Sequence, residues 1–201
     1  MRIAAYLPLS LCDYPGRVAA VVFTRGCNFR CPWCHNRHLI PPSAPAGESD
    51  IDERTVLDGI EERKSKLEGL VISGGEPTLQ PDLLRFMAAV KSCGVNVKLD
   101  TNGSNPDVVR QCLADKLVDF IAMDVKAPWD KYEILTGVVG SDDAARETMK
   151  LIAESGIKHQ FRTTKVPSLL TAEDCAEITS MIPSGSPHCW QTFRPTPDFK
   201  G

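Results

Sequence analysis

The sequence lacks any apolar run near the roughly 20 residues that cross a bilayer, so no membrane-spanning helix is expected. Its first residues, Met-Arg-Ile-Ala-Ala-Tyr-Leu-Pro, hold too short an apolar stretch for a secretory signal. It also lacks a dominant charge: the net value is −3 over 201 residues. That excludes a polycationic surface for nucleic acid or anionic membrane. No Gly-x-Gly-x-x-Gly follows the first strand candidate, which counts against a Rossmann sheet, the competing architecture. There is no internal repeat beyond strand–helix alternation, no low-complexity tract, and no catalytic-His or paired-carboxylate signature. Cysteine is present eight times, but the chain is long and unsignalled. Metal-bound or free thiols in a reducing cytoplasmic setting are expected, not disulfides.

What is present is ordinary in bulk: 42% hydrophobic and 24% charged residues, enough for one sizeable core. Short apolar runs at 18–24, 69–73, 95–101, 120–125, 159–164 and 188–193 read as strands. Helical patterns fall between them at 52–66, 81–93, 106–117, 142–154 and 171–182. Pro81 reads as a first-turn residue and Gly94 as a stop. Thr171 and Asp174 are spaced as a capping box with Asp in the Glu position. Such alternation implies a parallel sheet with right-handed crossovers. A closed eight-unit barrel takes roughly 31 residues per unit, so this length suits about six. The expected fold is α/β, an open partial (β/α)6 TIM-like barrel with parallel strands. It is read as a single domain over 1–201, with an N-terminal extension at 1–17 and a cysteine loop at 25–36. Pro41, Pro42, Pro45 and Gly47 mark a loop within it.

Three cysteines share one loop: Cys27, Cys31 and Cys34, spaced C-x3-C-x2-C with no fourth nearby. A cubic iron–sulfur cluster held only by protein uses four cysteines. Three leave one iron open, and an incomplete shell suggests reactivity where a complete one suggests scaffolding.

Polar residues gather where the strand candidates end. Ser73-Gly74-Gly75-Glu76-Pro77 follows the second, and Asp100-Thr101-Asn102-Gly103 closes the third. Asp124 and Lys126 close the fourth on one face, and Arg162 and Thr164 share a face near the end of the fifth. In a parallel barrel these ends form one mouth, where active sites sit. Taken singly, each has a plain reading. Gly-Gly after a strand is a turn, Asp124 with Lys126 is an internal ion pair, Arg162 caps a sheet edge, and Asn-Gly is a turn. The shared rim favours the functional reading.

The cysteine loop also satisfies C-x-x-C-H, a haem attachment pattern, and Cys-Pro-Trp-Cys resembles a thiol-redox pair. Neither uses Cys27. A zinc site on Cys27, Cys31, Cys34 and His35 has the ligand count, but Cys34 and His35 are adjacent, whereas structural zinc pairs are spaced apart. Cys112 and Cys175 read as core residues. Cys93 ends a helix, and Cys12 and Cys189 receive no ligand role. His159 has no clear partner and reads as structural.

Gly-Cys-Asn-Phe-Arg-Cys-Pro-Trp-Cys-His-Asn with Ser-Gly-Gly-Glu-Pro-Thr resembles the radical S-adenosylmethionine (SAM) superfamily. Tyr14-Pro-Gly, Leu99-Asp-Thr-Asn-Gly-Ser, Met123-Asp-Val-Lys-Ala-Pro and Phe161-Arg-Thr-Thr resemble the activating proteins of glycyl radical enzymes. Among these the likeness is to the activating proteins of anaerobic ribonucleoside-triphosphate reductase. The resemblance implies one [4Fe–4S] cluster on Cys27, Cys31 and Cys34, with SAM on the fourth iron. It implies that Glu76, with the Gly74–Gly75 backbone, receives the methionine amino group and that Trp33 lies beside the adenine. Asp100 and Thr101 match a SAM-binding segment, and Asp124 and Lys126 match an Asp-x-Lys motif holding the methionine moiety. Arg162 resembles a SAM-site arginine. A monovalent cation framed by the aspartates and threonine occurs in some relatives and is left open. The implied reaction is reductive cleavage of SAM to a 5′-deoxyadenosyl radical, which takes hydrogen from a glycine of a partner reductase. The electron comes from a low-potential donor such as flavodoxin or ferredoxin. Residues 36–49 contain no cysteine, so no second cluster is expected. Two alternatives stay open: a radical SAM enzyme acting on a small molecule, of the deazapurine-synthase kind, and a zinc or thiol-redox module.

Overall fold

Apolar runs that end in polar residues give the chain its parallel strands, and the spacers between them wind into helices that cover one face. The computed structural model describes residues 1–195, and the end of the predicted domain, 196–201, lies outside them. The elements run β1 (Ile3–Ser10), β2 (Ala19–Thr24), α1 (Glu53–Arg63), β3 (Gly69–Gly74), α2 (Leu83–Ser92), β4 (Asn96–Thr101), and α3 (Pro106–Ala114). They continue with β5 (Phe120–Asp124), α4 (Trp129–Thr136), α5 (Ser141–Glu154), β6 (Lys158–Lys165), α6 (Ala172–Met181) and β7 (His188–Thr192).

Among the described residues the strands form one seven-stranded sheet in the order β1 to β7. Strands β2 to β7 are mutually parallel, which is the predicted six-unit arrangement. First and last strands do not pair, so the barrel stays open. Alternate strand residues face opposite ways. Leu70, Ile72, Val97, Leu99, Ile121 and Phe161 pack into the main core with residues of the helices. Ala19, Val21 and Val71 face inward with Tyr14, whose ring lies 5.8 Å from Phe120, and they floor the barrel. Gly69 has to be small there, because a Cβ would meet the Tyr14 ring at 2.8 Å.

Three local features differ from the sequence expectation or add to it. The stretch read as an N-terminal extension carries β1, which pairs antiparallel with β2. It buries Ile3 completely, and Ile51 bridges to it from beyond the proline-rich loop. Pro81 precedes the N-cap Asp82 and does not enter α2. Helix α4 falls in a stretch that received no element, and Gly137 stops it in the left-handed conformation at φ 72°. The capping box of α6 is present in full: the Thr171 side chain accepts from the Asp174 N–H, and the Asp174 side chain accepts from the Thr171 N–H.

Candidate active site

The cysteine loop leaves the end of β2 and is pinned from several sides. Arg25, 3% exposed, pairs through Nε with Asp50 at 2.6 Å and through Nη2 with Glu48 at 2.9 Å. The Gly26 and Cys27 N–H groups donate to Leu39 and Ile40 carbonyls at 2.8 and 3.1 Å. Arg30 N–H donates to the Thr136 carbonyl at 2.7 Å, which seats the loop on the end of α4. Held this way, Cys27, Cys31 and Cys34 are free thiols on the wall of one cavity of about 250 Å³. Burial pushes the Cys27 thiol up to about 11 and raises Cys31 as well. Without metal these sulfurs are protonated, and a bound metal would deprotonate them.

Among the described residues no three Cys, His, Asp or Glu side chains are gathered tightly enough for one metal ion. Zinc bonds sulfur at about 2.3 Å and needs its ligands that close together. The donor set of three thiols and no carboxylate suits iron and sulfide better than a hard cation.

The end of β3 lies against this loop. A Cβ on Gly75 would sit 2.2 Å from the Gly26 carbonyl oxygen, so no side chain fits. The next residue, Glu76, is wholly buried. Its Oε1 accepts from Thr78 N–H at 3.1 Å, Thr78 Oγ1 at 2.6 Å and Thr101 Oγ1 at 2.8 Å. Its Oε2 accepts from Asn102 N–H at 2.6 Å. Burial raises its carboxyl pKa, and these four donors oppose the rise. A carboxylate has about four lone-pair sites, so Glu76 chiefly ties the end of β3 to the end of β4. A ligand amine would share acceptors already engaged. In Glu76→Gln, one oxygen becomes an amide that faces donors. The expected cost is about 1–3 kcal/mol, read as a fall of roughly 2–12 °C in thermal midpoint.

A band of alternating charge crosses the ends of β4, β5 and β6. Lys98 Nζ, 1% exposed as a residue, donates to Asp100 Oδ1. Asp100 Oδ2 accepts from Ser73 Oγ at 3.2 Å and from Arg162 Nη1 at 3.1 Å. Arg162 Nε reaches Asp124 Oδ1 at 2.8 Å, and Lys126 Nζ reaches Asp124 Oδ2 at 2.8 Å. Burial pushes the Asp124 carboxyl up, but Arg162 and Lys126 outweigh it and hold it far below the usual carboxylate range. Burial pushes Lys126 down, but the Asp124 carboxylate outweighs it and raises it. Three cations meet two carboxylates, so the band carries one net positive charge beside the thiols.

The predicted site residues, Cys27, Cys31, Cys34, Trp33, Gly74, Gly75, Glu76, Asp100, Thr101, Asp124, Lys126 and Arg162, all line this one cavity. Sequence reasoning gave no site role to Lys98, Ser73 or Asn102. Asn102 is buried, donates through Nδ2 to Asn28 Oδ1 at 3.0 Å, and lies 3.9 Å from Cys27 Sγ. Its Asn-Gly turn reading concealed it. The i, i+2 spacing of Lys98 and Asp100 was the signal for Lys98. His35 lines the cavity, but its Nε2 bonds the Arg194 carbonyl at 2.7 Å. Cys112 is fully buried with its thiol pushed up to about 12 by burial, while Cys12 and Cys189 are exposed. His159, expected to have no partner, has two: the Ile157 carbonyl at 2.8 Å and Ser186 Oγ at 2.9 Å.

Comparison with known proteins gives one consistent picture. The model of the radical SAM superfamily matches residues 21–178. A protein of Methanocaldococcus jannaschii described as a glycyl-radical enzyme activating enzyme is 32% identical over 203 residues, covering 96% of this chain and 80% of that one. The pyruvate formate-lyase-activating enzyme of Clostridium pasteurianum is 30% identical over 181 residues, covering 86% and 72%. Among solved structures, SuiB of Streptococcus suis superposes with a TM-score of 0.69 at 13% identity over 90% of this chain, which spans 40% of SuiB. At that identity the last likeness is one of fold alone. Among the described residues no helix is long and apolar enough to cross a membrane.

Proposed function

We propose, from the premise that the chain belongs to the radical SAM superfamily and is a glycyl-radical-enzyme activating enzyme, that Cys27, Cys31 and Cys34 hold one [4Fe–4S] cluster. The cavity beside them takes SAM. The observation that carries this reading is the shared wall: three unpaired thiols, the glycine turn after β3 and the charge band face one space. The donor set fits the cluster, as three soft sulfurs without a fourth leave one iron free for a ligand. When bound, cluster and SAM together supply one-electron cleavage to a 5′-deoxyadenosyl radical that removes hydrogen from a partner's glycine.

The chain's residues bind, orient and exclude water. Trp33 and Phe29, 4% and 2% exposed, wall the cavity and place an aromatic face beside the adenine. The net positive charge of the band suits the methionine carboxylate, with Lys126 and Arg162 held in place by Asp124. Asp100 and Thr101 hold the nucleoside side. Both carboxylates of the band already face cations among the described residues, so the proposal includes no monovalent cation.

The proposed substrate is an anaerobic ribonucleoside-triphosphate reductase. The motifs Tyr14-Pro-Gly, Asp100-Thr-Asn-Gly-Ser and Asp124-Val-Lys-Ala-Pro support a glycyl radical enzyme as substrate, and the resemblance to the reductase activators supports this one. The test is anaerobic incubation of the reconstituted protein with an anaerobic ribonucleoside-triphosphate reductase and SAM, read by electron paramagnetic resonance. A glycyl radical on the reductase is expected. A radical on pyruvate formate-lyase alone, or SAM cleavage coupled only to a small molecule such as a deazapurine precursor, overturns the assignment.

A further inference from the structure

From Tyr14 to Gly47 the sequence contains no Asp or Glu, although the whole chain has 26 acids to 23 Lys and Arg. Two of the four arginines in that stretch are neutralised. Arg25 pairs with Asp50 and Glu48, and Arg17 lies 3.8 Å from Glu68. The other two, Arg30 and Arg37, make no ion pair among the described residues. Each instead grips carbonyl oxygens of the cysteine loop. Arg30 Nη1 donates to Cys27 O at 2.6 Å and Phe29 O at 3.0 Å. Arg37 Nη1 donates to Pro32 O at 3.1 Å and Cys31 O at 3.4 Å. A carbonyl fixes a guanidinium without cancelling its charge. Two positive charges therefore stand on this loop, fastened to the backbone of Cys27 and Cys31. Neither arginine lines the cavity.

Apolar surface adjoins Arg30. The turn after α4 abuts Arg30: a Cβ on Gly137 would meet Arg30 Cβ at 3.2 Å. That turn exposes Val139 at 87%, and α4 exposes Ile134 at 79%. Glu133, the acid of that helix nearest the turn, is folded back onto the Gly140 N–H. Basic residues around a small apolar centre suit brief, charge-steered encounters.

We propose that this outer face of the cysteine loop, with Arg30, Arg37, Ile134 and Val139, is the docking surface for a small acidic one-electron carrier. The proposal rests on the reading that the three thiols hold a redox cluster. One electron leaves the reduced carrier and one arrives at the cluster, and no bond is made or broken. The substrate protein has to present its glycine to the cavity, which neither arginine lines, so the carrier is the partner that fits here.

The test titrates the protein with an acidic flavodoxin, followed by flavin fluorescence anisotropy, with iron content measured on every preparation. Wild-type affinity is expected to fall with added salt. Arg30→Glu with Arg37→Glu should weaken binding about tenfold or more. Arg30→Lys with Arg37→Lys, which keeps the charge, should stay within about threefold of wild type, and so should Lys150→Glu on α5. Val139→Glu leaves the loop carbonyls untouched and should also weaken binding about tenfold. Unchanged affinity in the Glu double variant and in Val139→Glu overturns the proposal. So does loss of binding to the glycyl radical enzyme with carrier binding intact, which would assign the face to the substrate. Absence of iron from wild type and variants alike would instead count against the cluster reading, because the titration reads the surface with or without it.

Discussion

Cys31→Ala is expected to leave the reconstituted protein with less than about one iron, where wild type takes up about four. SAM cleavage should fall with it. Cys31 is 6% exposed and lines the cavity with only two companions. A shell of three has no spare member. Even outer partners of a metal ligand cost about 10–100-fold when removed, so loss of a ligand should exceed that. The matched control is Cys112→Ala. That thiol is fully buried at 3.7 Å from the Met87 sulfur, remote from the loop in sequence and outside the cavity wall. Removing it trims a packed core and should cost about 1 kcal/mol, with iron content unchanged. Iron analysis and thermal melts on the pair decide the matter. Equal iron in both variants would end the division of cysteines into ligand and core.

Gly75→Ala should be nearly as damaging, though it adds a single methyl. Gly75 does not adopt a left-handed conformation, so the backbone itself accepts alanine. The obstacle is the Gly26 carbonyl at 2.2 Å, with the Gly26 carbonyl carbon at 2.7 Å. Both are backbone atoms, flanked by Glu76 N–H to Gly26 O at 2.8 Å and Gly75 N–H to Thr24 O at 2.9 Å. Overpacking costs about 1–3 kcal/mol where side chains can yield, and here the cysteine loop has to move instead. SAM affinity should drop, because the cysteine loop and the glycine turn share the wall of the cavity. Gly94→Ala is the contrast: φ is +82° and nothing lies within 4 Å of the added methyl. It should cost about 1–2 kcal/mol of strain and leave SAM affinity alone. Equilibrium binding and melting curves for the two variants separate site damage from general destabilisation. Equal SAM affinities would refute the contact argument.

Strands β2 to β7 were legible because parallel strands covered by helices read as continuous apolar runs. Strand β1 was not, for two reasons. Pro8 interrupts it, which an edge strand tolerates, and two of its leucines are exposed, Leu7 at 43% and Leu9 at 57%. Helix α4 was missed because eight residues give little over two turns in which a period could show. At the site, the strand-end motifs carried the contact residues. Lys98 stayed hidden because a mid-strand lysine reads as solvent-facing, although its i, i+2 spacing to Asp100 sets the two on one face. The role of Glu76 as a four-donor tie was equally invisible, as its donors come from two different strand ends.

The barrel floor bears on how the protein keeps a radical. Tyr14, Phe120 and the Lys98 ammonium, 6.0 Å from the Phe120 centroid, stopper the chamber from below. Among the described residues the unpaired β1 and β7 leave its flank without a matching cover. On that open side a client protein has room to cover the chamber, and SAM cleavage without product is expected to fall when it does. The activator should be least wasteful of SAM only while its client is seated.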